Sequence, residues 1–243
     1  MAYRQDPDLE FLKNAEQEDL SILVDYLTKD KDGDTRFTEE LTTSECYKNY
    51  YPDHKKYWDL IAAEIQCFGS NTIATIFRGG EGVLYREVLI DVCKKMKVNF
   101  NKSSSIEIIE MNLLMKILTD SISKMTPDQL KEVVGELDLK TADFTKQSVV
   151  ASLQSLIILG GFSSYKIALI VANAIAKQIL GRGLTFAANA TLTRGLAVFS
   201  GPIGWVLTAL WTIYDIAGPA YRVTIPTVVQ VAYMRAKMQY SNN

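Results

Sequence analysis

The stretch Arg78-Gly79-Gly80-Glu81-Gly82, with Arg86 four residues further on, has the composition of an anion-binding loop. Glycines let a backbone turn its N–H groups inward, and the start of a following helix adds partial positive charge. A phosphate would be held there by the helix N-terminus, Arg78 and Arg86. The loop lacks the GxxxxGK[ST] of a P-loop, and no strand pattern precedes it. A flexible helix–helix turn is the preferred reading.

The other reactive residue types give less. Asp30, Asp32 and Asp34 surround Gly33, as in a calcium loop, but the sixth and twelfth positions from Asp30 hold Thr35 and Leu41 instead of Gly and Glu. A solvated turn is preferred. The single histidine, His54, lies among Asp53, Lys55 and Lys56 and reads as an exposed surface residue. Glu107 and Glu110 are three residues apart, so they read as solvated neighbours on a polar stripe. Glycosidase chemistry needs carboxyls facing each other across a cleft. Nucleophile, base and orienting group cannot all be named, so no enzyme is expected. Neither a metal nor a cofactor is expected.

The elements that would position these residues are helices. The chain has 243 residues, 48% apolar and 22% charged, enough to bury a core without staples. Its three cysteines, Cys46, Cys67 and Cys93, form no CxxC and read as reduced, buried fillers. Leu20, Leu23, Val24 and Leu27 make one helical face. Further stripes are Tyr57/Trp58/Ile61/Ile65/Phe68, Leu84/Val88/Val92/Met96, Ile106/Ile109/Leu113/Ile117 and Leu130/Val133/Val134/Leu137. Asp6-Pro7-Asp8, Ser104 with Glu107, and Thr126-Pro127-Asp128-Gln129 are helix starts. Pro226 fits the first turn of a last helix carrying Val228, Val231, Ala232 and Arg235. The fold class is all-α: a multi-helix bundle with a hydrophobic, glycine-interrupted helical C-terminal half.

Charge divides the chain. Residues 148–243 hold seven basic residues (Lys166, Lys177, Arg182, Arg194, Arg222, Arg235, Lys237) and one acid, Asp215, leaving 19 basic and 27 acidic residues in 1–147. Three units are expected: a short N-terminal helical segment, 1–35; an acidic amphipathic helical domain, 36–140; and a basic, apolar helical region, 148–243. Gln147–Tyr165 and Gly195–Tyr214 carry no charge and reach membrane-spanning length. Glycines at 160–161 and 201/204 interrupt them, which favours core, hairpin or interfacial helices. Ala168, Ala172 and Ala176 form a ladder allowing close helix approach. Trp205, Trp211, Tyr214 and Tyr221 are candidate membrane contacts, and Asp215 with Arg222 is a candidate buried ion pair. Residues 1–20 are charged and contain no signal-peptide core, so a cytoplasmic N-terminal module is expected, at the inner face of a membrane if the C-terminal half docks there.

YRQDPDLEFL resembles the N-terminal segment of YaaW-like proteins, the UPF0174 family. WDLIAAEIQCFGSNTIATIFRGGEGVLYREVLIDVCKKM and AGPAYRVTIPTVVQVAYMR are similar to its central and C-terminal stretches. The central part is grouped with the ubiquinol–cytochrome c chaperones, which help assemble a respiratory membrane complex. The resemblance implies a helical, non-enzymatic, membrane-proximal helper. It supplies no catalytic residues: Arg78, Gly79, Gly80, Gly82, Tyr85, Arg86, Pro219, Tyr221, Arg222 and Pro226 are signature positions.

Three functional readings follow. The first is a non-enzymatic, membrane-associated helical protein of an uncharacterised family, presenting its acidic module to a protein partner; pore formation is a variant of it. The alternative is a soluble helical chaperone or assembly factor whose C-terminal half is buried core. The third is a phosphate-ligand enzyme at the Arg78–Arg86 loop. A protein partner is expected, a membrane is the second candidate through residues 148–243, and nucleic acid is not expected, because the C-terminal cations come singly.

Overall fold

The computed structural model describes residues 2–29, 34–36, 40–68, 82–137, 139–141, 143–159, 161–184 and 221–241. Among these residues the chain is helical, with no strand beyond an isolated Lys29–Thr35 bridge. The helices are α1 (Gln17–Thr28), α2 (Glu45–Tyr50), α3 (Trp58–Phe68), α4 (Tyr85–Lys95), α5 (Ile106–Ile122), α6 (Pro127–Glu136), α7 (Lys146–Leu159), α8 (Phe162–Leu180) and α9 (Tyr221–Ser241). Short 3-10 turns at Glu10–Asn14, Leu41–Thr43 and His54–Tyr57 join them. The expected all-α bundle is what forms.

The periodic stripes become the core. Leu20, Leu23, Val24 and Leu27 of α1, Ile61 and Ile65 of α3, Val88 and Val92 of α4, and Ile106, Ile109, Leu113 and Ile117 of α5 are all buried. Each such side chain contributes roughly 1.5–3 kcal/mol by leaving water. The Thr126 hydroxyl accepts from the Gln129 backbone N–H, while the Gln129 side chain reaches back, closing the capping box of α6. At α5 the N-cap is Ser105, one residue past the expected Ser104, and it makes no side-chain cap bond.

The organising element is α9. Its residues Val223–Met234 are buried without interruption, so this stretch of the helix is enclosed on every side. It packs against α1, α3, α4, α5 and α8. The helix already runs from Tyr221, so Pro226 sits inside it, beyond the first turn that the sequence suggested. Ala168, Ala172 and Ala176 are buried, and α8 forms the most extensive pairing with α9. The first uncharged run breaks into α7 and α8. Gly161 sits at the break with φ of +55°, a conformation that an L side chain resists. Among the described residues no helix is long and apolar enough to cross a membrane. The second uncharged run lies outside them.

Two surface expectations are corrected. His54 is buried, sharing a 2.5 Å hydrogen bond between Nδ1 and the Tyr57 hydroxyl inside an aromatic cluster with Tyr51 and Tyr57. Burial lowers its pKa, with Asp25 and Asp53 pulling the other way. The polar residues that flank it in sequence point outward while the 3-10 turn rotates the imidazole inward. Cys46 is exposed on α2, whereas Cys67 is half-buried and Cys93 fully buried. The short α2 lays no buried face on the core, so Cys46 has nothing to pack into.

Candidate functional site

The polar chemistry of the interior collects where the N-terminal segment crosses α3, α4, α5 and α9. It begins with Asp6, 1% exposed. One Asp6 carboxylate oxygen accepts from the Tyr85 backbone N–H at 2.7 Å and from Gln66 Nε2 at 3.3 Å; the other accepts from the Asp8 N–H at 3.0 Å. Asp6 thus serves the N-terminus of a helix 79 residues away, where the first N–H groups lack intrahelical acceptors and the helix dipole favours an anion. In the sequence Asp6 read as a local helix cap; one oxygen keeps that local role toward the Asp8 N–H, and the other is spent on α4 and Gln66. Gln66 closes the other side, pairing with both the N–H and the carbonyl of Arg4 at 3.1 and 2.8 Å. Gly82 permits this approach: a Cβ there would lie 2.5 Å from the Gln66 backbone carbon.

The charged centre is Glu110 with Arg235. Arg235 Nε donates to both Glu110 oxygens, at 3.2 and 3.0 Å, and its Nη2 donates to the Asp8 carbonyl at 2.6 Å. The guanidinium lies over the Phe11 ring at 4.6 Å. The Tyr85 hydroxyl donates to Glu110 at 2.8 Å. Glu110 is 3% exposed. Burial pushes its carboxyl up to about 7, against the opposing pull of Arg235 and Tyr85. This corrects the sequence reading of Glu107 and Glu110 as a solvated pair. Glu110 lies four residues after Ile106 and three before Leu113, inside the apolar stripe; that spacing is the signal that could have found it. Glu107 stays exposed. Partial burial opposes its ionisation, but the helix N–H groups, Ser105, Arg235 and Arg86 together hold it below the usual carboxylate range.

A second polar junction ties α1 to α9: Lys237 Nζ donates to Glu16 at 2.6 Å and to Asp19 at 2.8 Å. A third joins Arg182 and Lys29 to Asp25.

Of the sequence candidates, Arg86 is described, and its Nη1 donates to the carbonyls of Lys102 and Ser104 at 3.1 and 2.9 Å. That guanidinium nitrogen braces the α4–α5 connection. Arg78, Gly79 and Gly80 lie outside the described residues. Tyr221 is half-buried, donating to Asp91 at 2.8 Å with Lys95 over its ring. Arg222 is exposed. Asp215, Trp205, Trp211 and Tyr214 lie outside the described residues, as do Asp30, Asp32 and Gly33, while Asp34 is exposed.

Burial pushes the Cys67 thiol up to about 11 and the Cys93 thiol up to about 12, away from the nucleophilic thiolate. No cluster of three His, Cys, Asp or Glu suited to a metal occurs among the described residues. An open cleft of about 230 Å³ lies beside the Glu110–Arg235 pair, between α5, α8 and α9.

Asp6, Gln66, Tyr85 and Arg235 come from three separated sequence stretches. Residues 3–37 match the family described as Domain of unknown function (DUF3944), and residues 53–229 match the one described as Ubiquinol-cytochrome C chaperone. A UPF0174 protein of Helicobacter pylori (strain J99) is 50% identical over all of this chain and 96% of its own length. Another, from Helicobacter pylori (strain 26695), is 42% identical over 83% of this chain and 98% of its own length. UPF0174 protein YaaW of Escherichia coli (strain K12) is 33% identical over 96% of this chain and 95% of its own length. No solved structure is significantly similar to the chain. With half its residues shared along its full length and both segments matched, the chain belongs to the UPF0174 family, and its residues 53–229 to the Ubiquinol-cytochrome C chaperone family.

Proposed function

We propose that this protein is a non-enzymatic helical chaperone or assembly factor that binds a protein partner, with its basic C-terminal half acting as core. The observation that carries this reading is α9. Twelve consecutive residues of the C-terminal half are buried against α8 of the same half and α1, α3, α4 and α5 of the acidic half. A segment with that role has little apolar surface left for lipid. The Ubiquinol-cytochrome C chaperone match supports the assembly role. The inert thiols and the structural use of Glu110 and Arg235 support a binding protein over an enzyme.

Fractionation of the full-length chain, expressed without detergent, tests the proposal. The expected result is a monodisperse protein outside the membrane pellet that retains a partner protein after chemical crosslinking. Retention in the pellet through high-salt and carbonate washes would overturn the core reading in favour of insertion. Release by salt alone would point to electrostatic docking through the C-terminal cations, the membrane-associated alternative.

A further inference from the structure

The connection from α4 to α5 concentrates cations inside the acidic half. Lys94, Lys95, Lys97 and Lys102 fall within nine residues, and no acid occurs between Asp91 and Glu107. All four lysines are exposed. Lys95 lies over the Tyr221 ring at 4.8 Å. The ammonium groups of Lys94, Lys97 and Lys102 make no ion pair or hydrogen bond among the described residues. Glu87 and Asp91 share the α4 face of Lys95, whereas Lys94 follows Arg86 by eight residues on the neighbouring face. At the α5 end, Glu107 is answered by Arg86 and Arg235.

The backbone under these lysines is fixed. Arg86 Nη1 donates to the carbonyls of Lys102 and Ser104, so the connection folds back along α4. At 1.5 Å rise per residue, the Lys102 backbone then stands about 12 Å from Lys94 along the helix axis. The Asn101 side chain accepts from the Ser103 N–H at 3.0 Å. At the end of α4, the Lys97 N–H donates to the Lys94 carbonyl at 3.1 Å and the Val98 N–H to the Cys93 carbonyl at 2.8 Å. That closure puts one residue in the left-handed region, and glycine is its usual occupant. Here it is Lys97, with φ of +55°. A side chain kept where glycine fits better points to a use for that side chain.

The strip also has apolar content between its charged ends. Ile90, on the Arg86–Lys94 face, and Phe100, between Lys97 and Lys102, are half-buried. Residues 1–147 hold 27 acidic against 19 basic residues, so the surroundings repel an extended polyanion such as RNA or an anionic bilayer. A short acidic segment meets the strip alone, because screening limits the reach of each charge to about 8 Å at physiological salt.

We propose that this strip docks the partner protein through an acidic amphipathic segment. Carboxylates about two helical turns apart face Lys102 and the Lys94–Lys97 pair, with an apolar side chain against Ile90 and Phe100. The inference rests on the assembly-factor reading and names the chemistry of the partner.

The test is fluorescence anisotropy with the full-length protein and a dye-labelled amphipathic helix of leucine and glutamate. The same helix with glutamine in place of glutamate is the control. The glutamate peptide should bind about tenfold more tightly or better, and rising salt should shrink the difference. Lys94→Gln, Lys97→Gln and Lys102→Gln together should weaken it by about tenfold. Lys124→Gln with Lys140→Gln, exposed lysines outside the strip, should change it by less than about twofold. Lys97→Gly separates binding from folding: it should raise Tm by relieving the left-handed backbone, yet lower the affinity. All the substituted residues are exposed, so the circular dichroism of each variant should match the parent. The proposal is overturned by equal affinity for the two peptides, by equal losses in the two sets of glutamine variants, or by parental affinity in Lys97→Gly. Tighter binding of a polyuridine oligonucleotide or of phosphatidylglycerol vesicles than of the glutamate peptide also overturns it. If the chain captures a partner protein and the triple variant leaves that capture intact, the strip fails while the assembly-factor reading stands. If the strip behaves as described and no partner protein is captured, the assembly-factor reading fails alone.

Discussion

Replacing Arg235 with methionine removes the cation facing Glu110 while keeping a long side chain between Phe11 and Tyr85. The wild-type sign is set by burial, which lifts Glu110 from 4.5 to about 7. A carboxyl whose folded pKa is raised stabilises most below its unfolded pKa, and that contribution is lost as pH rises through the folded value. Arg235 limits this loss. Without it, a carboxylate 3% exposed retains only the Tyr85 hydroxyl as a donor, and the Asp8 carbonyl loses its own. Breaking a buried pair from one side costs roughly 3–5 kcal/mol. Removing an adjacent opposite charge shifts a carboxyl by about 1–3 pH units, or roughly 1.4–4 kcal/mol. Arg235→Met should therefore lose about 3–5 kcal/mol at pH 8.5, a fall of roughly 6–20 °C in Tm for a chain of this size. At pH 5 Glu110 is protonated, and the loss should be about 1–2 kcal/mol smaller. Urea unfolding followed by far-ultraviolet circular dichroism at the two pH values measures both. Glu110→Met combined with Arg235→Met should recover most of the pH 8.5 loss, because apolar replacement of a buried pair is often neutral. A loss independent of pH, or a double variant no better than the single, would refute the electrostatic account of this junction.

Three further outcomes are expected. Gly82→Ala places a methyl 2.5 Å from the Gln66 backbone and should cost about 1–3 kcal/mol in urea unfolding; a neutral result would mean the loop is free to shift. Asp6→Ala removes the acceptor of the α4 N-terminus and should cost roughly 1–2 kcal/mol, with faster amide exchange at Tyr85 as the local readout. His54, whose pKa is lowered by burial, contributes stability present above its unfolded pKa of about 6.5 and lost as pH falls below it. His54→Gln should flatten the thermal stability profile between pH 6.5 and 5, and an unchanged slope would contradict its burial.

Much of the architecture is legible in residue spacing. The stripes beginning at Leu20, Tyr57, Leu84, Ile106 and Leu130 place their buried faces, with Trp58, Phe68 and Leu84 half-buried at the margins, because a 3.6-residue period needs only local sequence. Thr126-Pro127-Asp128-Gln129 starts α6 as written, since a capping box is closed by its own residues. The charge asymmetry and the glycine break after Leu159 are equally local facts.

What the sequence leaves open is which side of a residue meets another element. His54 sits among charges yet turns inward onto Tyr57. Asp6 has the form of a local cap, and only the crossing of the N-terminal segment over α4 makes it the acceptor for Tyr85. Glu110 reads as a neighbour of Glu107 until α9 brings Arg235 beside it, 125 residues later in the chain. The uninterrupted burial of Val223–Met234 in α9 is likewise a tertiary result. An apolar helix suits lipid and protein equally well, and only the helices around it decide between them. Composition and periodicity thus determined the helices and their apolar faces, because those depend on contacts within a few residues. The buried polar cluster and the cleft beside it were decided by packing between distant stretches, where a charge becomes tolerable only once its partner arrives.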